Sequence, residues 1–296
     1  MRGDQSDVDL WEGDSPWYAE DVIRVRLNVL ERQGRIEEYL NLALAANLTD
    51  AYVTMLVAEG RLDEAIKYGQ QNLRSPDDAL TLAKTLRTHD RQEAAVEVAQ
   101  HGLNLDGTGK AELAEWLRNR ARSMEEHDVA LEAAVAAFEA TPSLAAYQAT
   151  EELAGEDWPD VREDLLETLV DKDTSQRSAK RYVRVFLYAE RYDEAVALAD
   201  RFSDYTVVEP VTDAVFQERP QWTIDACKEQ AEPIIEEGQS QRYRHAVNWL
   251  EMAGDAADVA GELDEWRAYV QGLRDDHSRK YKLRPMLDEL LDEFEG

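Results

Sequence analysis

The sequence predicts an all-α fold, a tetratricopeptide-like α-solenoid built from antiparallel helix pairs. A short phrase recurs along the 296 residues, and the apolar residues between its copies follow the period of a helix. Ala, Leu, Glu and Arg, which favour helices, dominate the composition, and no run of alternating β-branched residues indicates a strand. These observations favour short helix pairs, each of which packs on its neighbours.

The recurring phrase is a turn residue, an arginine, an apolar or polar residue, one or two acids and then Ala or Tyr. Its clear copies begin at Gly34, Gly60, Asp90 and Glu190, and a weaker copy begins at His127. Their spacing, near 30 residues, suits two helices per repeat. Because a helix dipole favours negative charge in the first turn, the acids place a helix start directly after the arginine. The phrase therefore predicts the second helix of each pair.

Other junctions punctuate the chain between these copies. Ser75-Pro76 reads as a helix start, with Ser75 as the cap and Pro76 at the first helical position, and Arg219-Pro220 and Thr141-Pro142-Ser143 are similar. Residues 1–18 are acidic and poor in aliphatic residues, which predicts a flexible tail before a solenoid over 19–296. The polar stretch 171–178 is either a break between two halves or a longer loop within one array.

The charge is strongly acidic, with 63 acidic against 33 basic residues and a net charge of −30. Three interpretations compete: a surface for a basic partner, a nucleic-acid mimic, and adaptation to a high-salt cytoplasm. The acids lie on nearly every predicted helix and only 8 of the basic residues are lysines, which favours the halophilic interpretation. At molar salt the Debye length falls to about 3 Å, so that self-repulsion is largely screened.

The sequence contains no complete motif for catalysis, metal binding or cofactor binding. Cys227 is the single cysteine and is expected to be buried on a helix over 222–237, so neither an intramolecular disulfide nor a multi-cysteine zinc site can form. Residues 106–110 resemble the end of a phosphate-binding loop, but Asn104 and Ala111 replace its first glycine and its Ser or Thr. We therefore expect a protein that is not an enzyme and has no cofactor.

The sequence also predicts where the protein is found. It contains no apolar run of the roughly 18 residues that span a bilayer, and its first residues lack the pattern of a signal peptide. We expect a cytoplasmic protein without a membrane partner.

Residues 239–284 differ from the rest because their eight basic and eight acidic residues balance. The basic residues cluster with aromatic residues at the two ends of this segment. One interpretation is a patch for an anionic partner, nucleic acid included. The other is a pair of helix ends whose cations neutralise neighbouring acids. The candidate partner-binding residues are Arg242, Arg244, His245, Trp249, Lys280, Tyr281, Lys282 and Arg284.

Three stretches, 26–43, 222–250 and 265–290, resemble the helical C-terminal region of archaeal and bacterial SWIM zinc-finger proteins. The most specific strings are His-Ala-Val-Asn-Trp-Leu at 245–250 and Lys-Tyr-Lys-Leu-Arg-Pro at 280–285. The zinc module of that family needs a Cys-x-Cys pair and a Cys-x-His pair, so no zinc ligand carries over to this chain. The resemblance implies the accessory solenoid without the zinc module, as a separate gene product or a fragment, acting as an adaptor beside nucleic acid.

Two functions follow from these patterns. The first is a non-enzymatic helical-repeat scaffold that binds a protein partner along its concave face or at its C-terminal patch, as a companion of a SWIM zinc-finger module. The alternative is a nucleic-acid-associated accessory factor that uses the basic-aromatic C-terminal segment.

Overall fold

The computed structural model describes residues 19–171 and 174–294, and within these residues the fold is all-α without a strand. A single 3-10 turn lies at Gly155–Asp157. The helices are α1 (Ala19–Arg32), α2 (Ile36–Ala45), α3 (Thr49–Ala58), α4 (Leu62–Asn72), α5 (Pro76–Thr88), α6 (Gln92–Leu103), α7 (Lys110–Ser123), α8 (His127–Ala140), α9 (Leu144–Ala154), α10 (Trp158–Asp171), α11 (Gln176–Tyr188), α12 (Tyr192–Phe202), α13 (Tyr205–Val215), α14 (Pro220–Glu236), α15 (Tyr243–Ala260), α16 (Leu263–Asp276) and α17 (Leu283–Glu293).

The chain divides into two compact units between Leu165 and Leu166, within α10. In the first unit, consecutive helices pack as pairs. The first helices of successive pairs, α3, α5 and α7, also contact one another, and so do the second helices, α4, α6 and α8. This stacking is the arrangement of a tetratricopeptide-like solenoid and confirms the predicted fold class. One apolar core runs through the unit from Leu27 to Ala137.

The second unit contains the pairs α11/α12, α13/α14 and α15/α16, followed by α17, and its most extensive packing joins α14 to α15. Helix α11 contacts α13, and α15 contacts α17. Trp266 is the largest side chain in its core, with 1% of its surface exposed, and its Nε1 donates a hydrogen bond of 3.0 Å to the carbonyl oxygen of Leu250. Because a buried indole N–H needs an acceptor, this bond holds α16 in register against α15.

The recurring phrase opens second helices, as predicted. Its turn residue adopts a left-handed φ of 57–74° at Gly34, Gly60, Asp90 and Glu190. The arginine that follows is the N-cap of α2, α4, α6 or α12.

In three copies of the phrase the guanidinium group also clamps the glutamate three residues later. Arg61 donates from Nε and Nη2 to the two carboxylate oxygens of Glu64, both at 2.9 Å, and the same pairing joins Arg35 to Glu38. In the third copy, Nε and Nη2 of Arg191 both donate to Oε1 of Glu194. In these three copies the phrase thus combines a sharp turn with an ion pair across the first turn of the helix, which is bidentate at Arg35 and Arg61.

The weaker copy has a different register from the predicted one. Glu125 has the left-handed φ, of 61°, and Glu126 is the N-cap of α8. The arginine of the phrase therefore corresponds to Glu126, one residue before His127, because Asp128 and Ala130 occupy the positions of the acid and the small residue. Without the arginine, this copy lacks the clamp.

Two other junctions confirm the predicted boundaries. The hydroxyl of Ser75 accepts a hydrogen bond of 3.2 Å from the backbone N–H of Asp78, and α5 begins at Pro76. Helix α14 begins at Pro220. The predicted tail over 1–18 lies outside the described residues. Residues 172 and 173 of the predicted break over 171–178 also lie outside them. The two units divide before that stretch, between Leu165 and Leu166. No helix in the described part of the chain is long and apolar enough to cross a membrane.

Candidate functional site

A groove of about 960 Å³ lies in the second unit, between α13, α14 and α15. Helix α13 contributes Tyr205, Glu209 and Asp213, which share one face because they are spaced by four residues, and Thr212, which is buried at the edge of that face. The opposite face of α13 is valine-rich and buried in the core. The groove wall is therefore the polar side of an amphipathic helix.

Helices α14 and α15 complete the walls. Helix α14 contributes its last turns, where Pro233 stands inside the helix and Ile234 is buried. Because proline has no N–H, it cannot donate to the carbonyl oxygen of Glu229, four residues earlier, which also lines the groove. Helix α15 contributes side chains of one face, His245, Asn248, Trp249 and Met252.

The charge of the groove is acidic. Four carboxylates line it, against the single guanidinium of Arg242. The guanidinium of Arg242 donates to the side chain of Gln239 at 2.8 Å, and Gln239 donates to Glu237. The other three carboxylates, those of Glu209, Asp213 and Glu229, make no hydrogen bond or ion pair with any residue that the structure describes.

Burial acts on two titratable groups beside this wall. It raises the pKa of Asp213 above its ordinary value, which indicates that the carboxylate is partly shielded from water without gaining a compensating cation. Burial, followed by the charge of Asp213, raises the pKa of Cys227 to about 12. The thiol is therefore protonated at neutral pH and is a poor nucleophile, and its burial confirms the packing role predicted for it.

The groove also presents apolar surface to solvent. Tyr205 leaves 55% of its surface exposed at the start of α13, and Trp249 and Met252 are partly buried on α15. An exposed aromatic ring beside unpaired carboxylates suits a partner that has both apolar and cationic groups.

The candidate residues of the sequence fall into two sets. Arg242, His245 and Trp249 line the groove, whereas Arg244 is exposed outside it. The sequence identified these residues by their aromatic and basic character. It did not predict the acidic wall of α13, with Glu209 and Asp213, that lines the same groove.

The second basic cluster, at residues 280–284, lies away from the groove lining. The ammonium of Lys280 donates to the carbonyl oxygens of Ile235 and Glu236, at the C-terminal end of α14, where a cation is favoured by the helix dipole. Tyr281 is 80% exposed, Lys282 is the N-cap of α17, and Arg284 is exposed in its first turn. Lys280 thus brings this cluster to the same end of α14 as the loop that leads to Arg242.

The loop that resembles a phosphate-binding motif has a structural role in the first unit. Gly109 is the N-cap of α7 with φ of 85°, and a Cβ atom there would lie 1.8 Å from a carboxylate oxygen of Asp77. The same carboxylate accepts a hydrogen bond of 2.7 Å from Thr108. An acidic side chain of the protein itself occupies the space that an anion would need. Within 19–171 and 174–294, no group of three or more His, Cys, Asp or Glu side chains is arranged to hold a metal ion.

Comparisons with known proteins give a similarity of fold and no family. No protein-family profile and no curated protein matches the chain. Among solved structures, it is similar to a chain in the structure of Naa15/Naa10 bound to HypK-THB, with 12% identity and a TM-score of 0.35. The match covers 92% of this chain but 43% of that chain, so this chain spans less than half of its length. At that TM-score the similarity carries no argument about function, and the fold class rests on the helix packing described above.

Proposed function

We propose that the protein is a non-enzymatic scaffold that binds a segment of a partner protein in the groove between α13, α14 and α15. The observation that carries the proposal is the exposed ring of Tyr205 above the unpaired carboxylates of Glu209 and Asp213. An exposed aromatic side chain is a typical anchor of a protein interface, and solenoids bind partners along extended faces.

The proposal includes a role as companion of a SWIM zinc-finger module. Its support is the resemblance of three stretches of the sequence, together with the place of its most specific strings. The string at 245–250 lies on α15 and supplies His245 and Trp249 to the groove wall. The string at 280–285 holds Lys280 against the end of α14. Both strings therefore lie in the second unit, which contains the groove.

The test compares two exposed tyrosines. The chain is immobilised as wild type, Tyr205→Ala and Tyr281→Ala, and partners are captured from a lysate of the source organism and identified by mass spectrometry. We expect a partner that wild type and Tyr281→Ala retain and that Tyr205→Ala loses, because only Tyr205 lines the groove. A partner that is lost with Tyr281→Ala and kept with Tyr205→Ala contradicts the proposal, as does capture that neither substitution changes.

A nucleic-acid-associated accessory role is the second candidate. The observation that favours it is the exposed cluster of Tyr281, Lys282 and Arg284, in which an aromatic ring and two cations are accessible together. Binding of labelled single-stranded and double-stranded DNA across a salt series tests it, with Lys282→Glu/Arg284→Glu as the variant. This role requires wild-type affinity that falls with salt and is weakened by the variant; negligible binding by both proteins excludes it.

A further inference from the structure

Helices α11 and α13 of the second unit are structural repeats 29 residues apart. Their N-caps are Ser175 and Asp204, the two helices contact each other, and the side chain of Gln176 donates to Asp204 at 2.7 Å. Four pairs of buried positions correspond as well: Ala179 and Val208, Tyr182 and Val211, Val183 and Thr212, and Phe186 and Val215. Val185 and Val207 are buried without a buried counterpart.

At corresponding positions, the solvent-facing sides of α11 and α13 carry opposite charges. Lys180 and Arg184 of α11 occupy the positions that Glu209 and Asp213 hold on α13. Both cations are exposed, and neither makes a hydrogen bond or ion pair with another residue of the described ranges. Helix α11 contains four cations and no acid, in a chain whose net charge is −30. This concentration of positive charge therefore stands directly beside the acidic wall of the groove.

We propose that this face of the second unit binds a charge-segregated segment of a partner protein. The acidic end of the segment lies over Lys180 and Arg184 of α11, and its basic end enters the groove of Glu209 and Asp213. An apolar side chain between the two ends packs against Tyr205. The inference rests on the proposed function, because it assigns a partner chemistry to the same groove.

Charge complementarity separates this occupant from the others. A uniformly anionic nucleic acid is attracted by α11 but repelled by the carboxylates of the groove. A uniformly basic segment is attracted by those carboxylates but repelled by the cations of α11. Neighbouring packed helices lie about 8–10 Å apart, which an extended chain covers in about three residues. The two charged blocks of the segment should therefore be separated by about that many residues.

The experiment uses synthetic peptides and the full chain. The first peptide has a block of Glu, a short Leu-containing centre and a block of Lys, and the second alternates the same Glu and Lys residues. A third carries only the Lys block and the centre. Each is labelled with fluorescein and titrated by anisotropy with wild type, Lys180→Glu/Arg184→Glu and Glu209→Lys/Asp213→Lys. Circular dichroism identifies the lowest salt concentration at which every protein is folded, and all titrations are made there.

Wild type should bind the segregated peptide at least about fivefold more tightly than the alternating one, since several exposed ion pairs form together. Each double substitution should abolish that preference. The matched control for Lys180→Glu/Arg184→Glu is Lys84→Glu/Arg87→Glu, two exposed cations one turn apart on α5 of the first unit, which changes the net charge of the chain by the same amount. It should leave the preference intact.

Two results would overturn the inference in distinguishable ways. If the Lys-only peptide binds as tightly as the segregated peptide and Lys180→Glu/Arg184→Glu changes neither affinity, the groove binds a basic segment and α11 has no part in it. If wild type binds none of the peptides, the inference fails, and the capture experiment with Tyr205→Ala decides the groove function separately.

Discussion

Gly102 in α6 should be intolerant of even one added carbon atom. A Cβ atom at this position would lie 2.3 Å from the Cβ of Ala79 and 2.8 Å from a methyl carbon of Leu113. Ala79 cannot move aside, because its Cβ is fixed to the backbone of α5, which would have to move by about 1 Å to restore ordinary contact. Overpacking of this kind costs about 1–3 kcal/mol, against a gain of about 1 kcal/mol in helix propensity.

The Gly102→Ala variant should therefore lose about 1–2 kcal/mol of unfolding free energy, measured by urea titration with circular dichroism. Gly272→Ala is the matched control, because Gly272 lies inside α16 and a Cβ there meets nothing within 4 Å. It should gain about 0.5–1 kcal/mol through helix propensity alone. An unchanged or raised stability of Gly102→Ala would refute the close packing of α5 and α6.

Three further outcomes follow from the charges. The unfolding free energy should rise between dilute buffer and molar KCl, because salt shortens the Debye length to about 3 Å and so screens the repulsion within a net charge of −30. An unfolding free energy that does not change with KCl contradicts the halophilic interpretation. The hydrogen bond and ion pair from Arg191 lower the pKa of Glu194 below 4.5, so they stabilise the fold above that pH and the contribution is lost as the pH falls further. Glu194→Gln should accordingly lose less stability than wild type on acidification below pH 4.5, as followed by thermal unfolding. Burial raises the pKa of Asp213, so that its ionised form destabilises the fold at neutral pH; Asp213→Asn should be more stable than wild type at pH 7 but not at a pH below 3.8.

The fold was predictable because its determinants are local. The recurring phrase places a left-handed turn residue, an N-cap arginine and first-turn acids within a few positions, so a linear reading finds the start of the second helix. The weaker copy shows the limit of this reading. Where Glu126 replaces the arginine, the remaining pattern no longer specifies its register, and the left-handed φ at Glu125 determines the helix start.

The groove was predictable only in part because its walls come from separate helices. Trp249 and His245 stood out in the sequence by their residue types, within a segment of balanced charge. Glu209 and Asp213 did not, because acids lie on almost every helix and their spacing alone marks an ordinary solvated face. The sign change between α11 and α13 becomes visible once the N-caps at Ser175 and Asp204 set the two helices in register.

Salt should separate the two roles that acidic residues have in this protein. Acids spread over the surface repel one another, so added salt stabilises the fold, whereas the carboxylates of the groove attract a cationic partner, so added salt weakens binding. Glu209→Gln/Asp213→Asn removes two of the many acids but half of the four in the groove. We expect this variant to bind the segregated peptide with a much smaller salt dependence than wild type, while its unfolding free energy rises with KCl as in wild type. If the salt dependence of binding is the same in both proteins, the carboxylates of the groove do not contact the partner and belong to the general acidic surface.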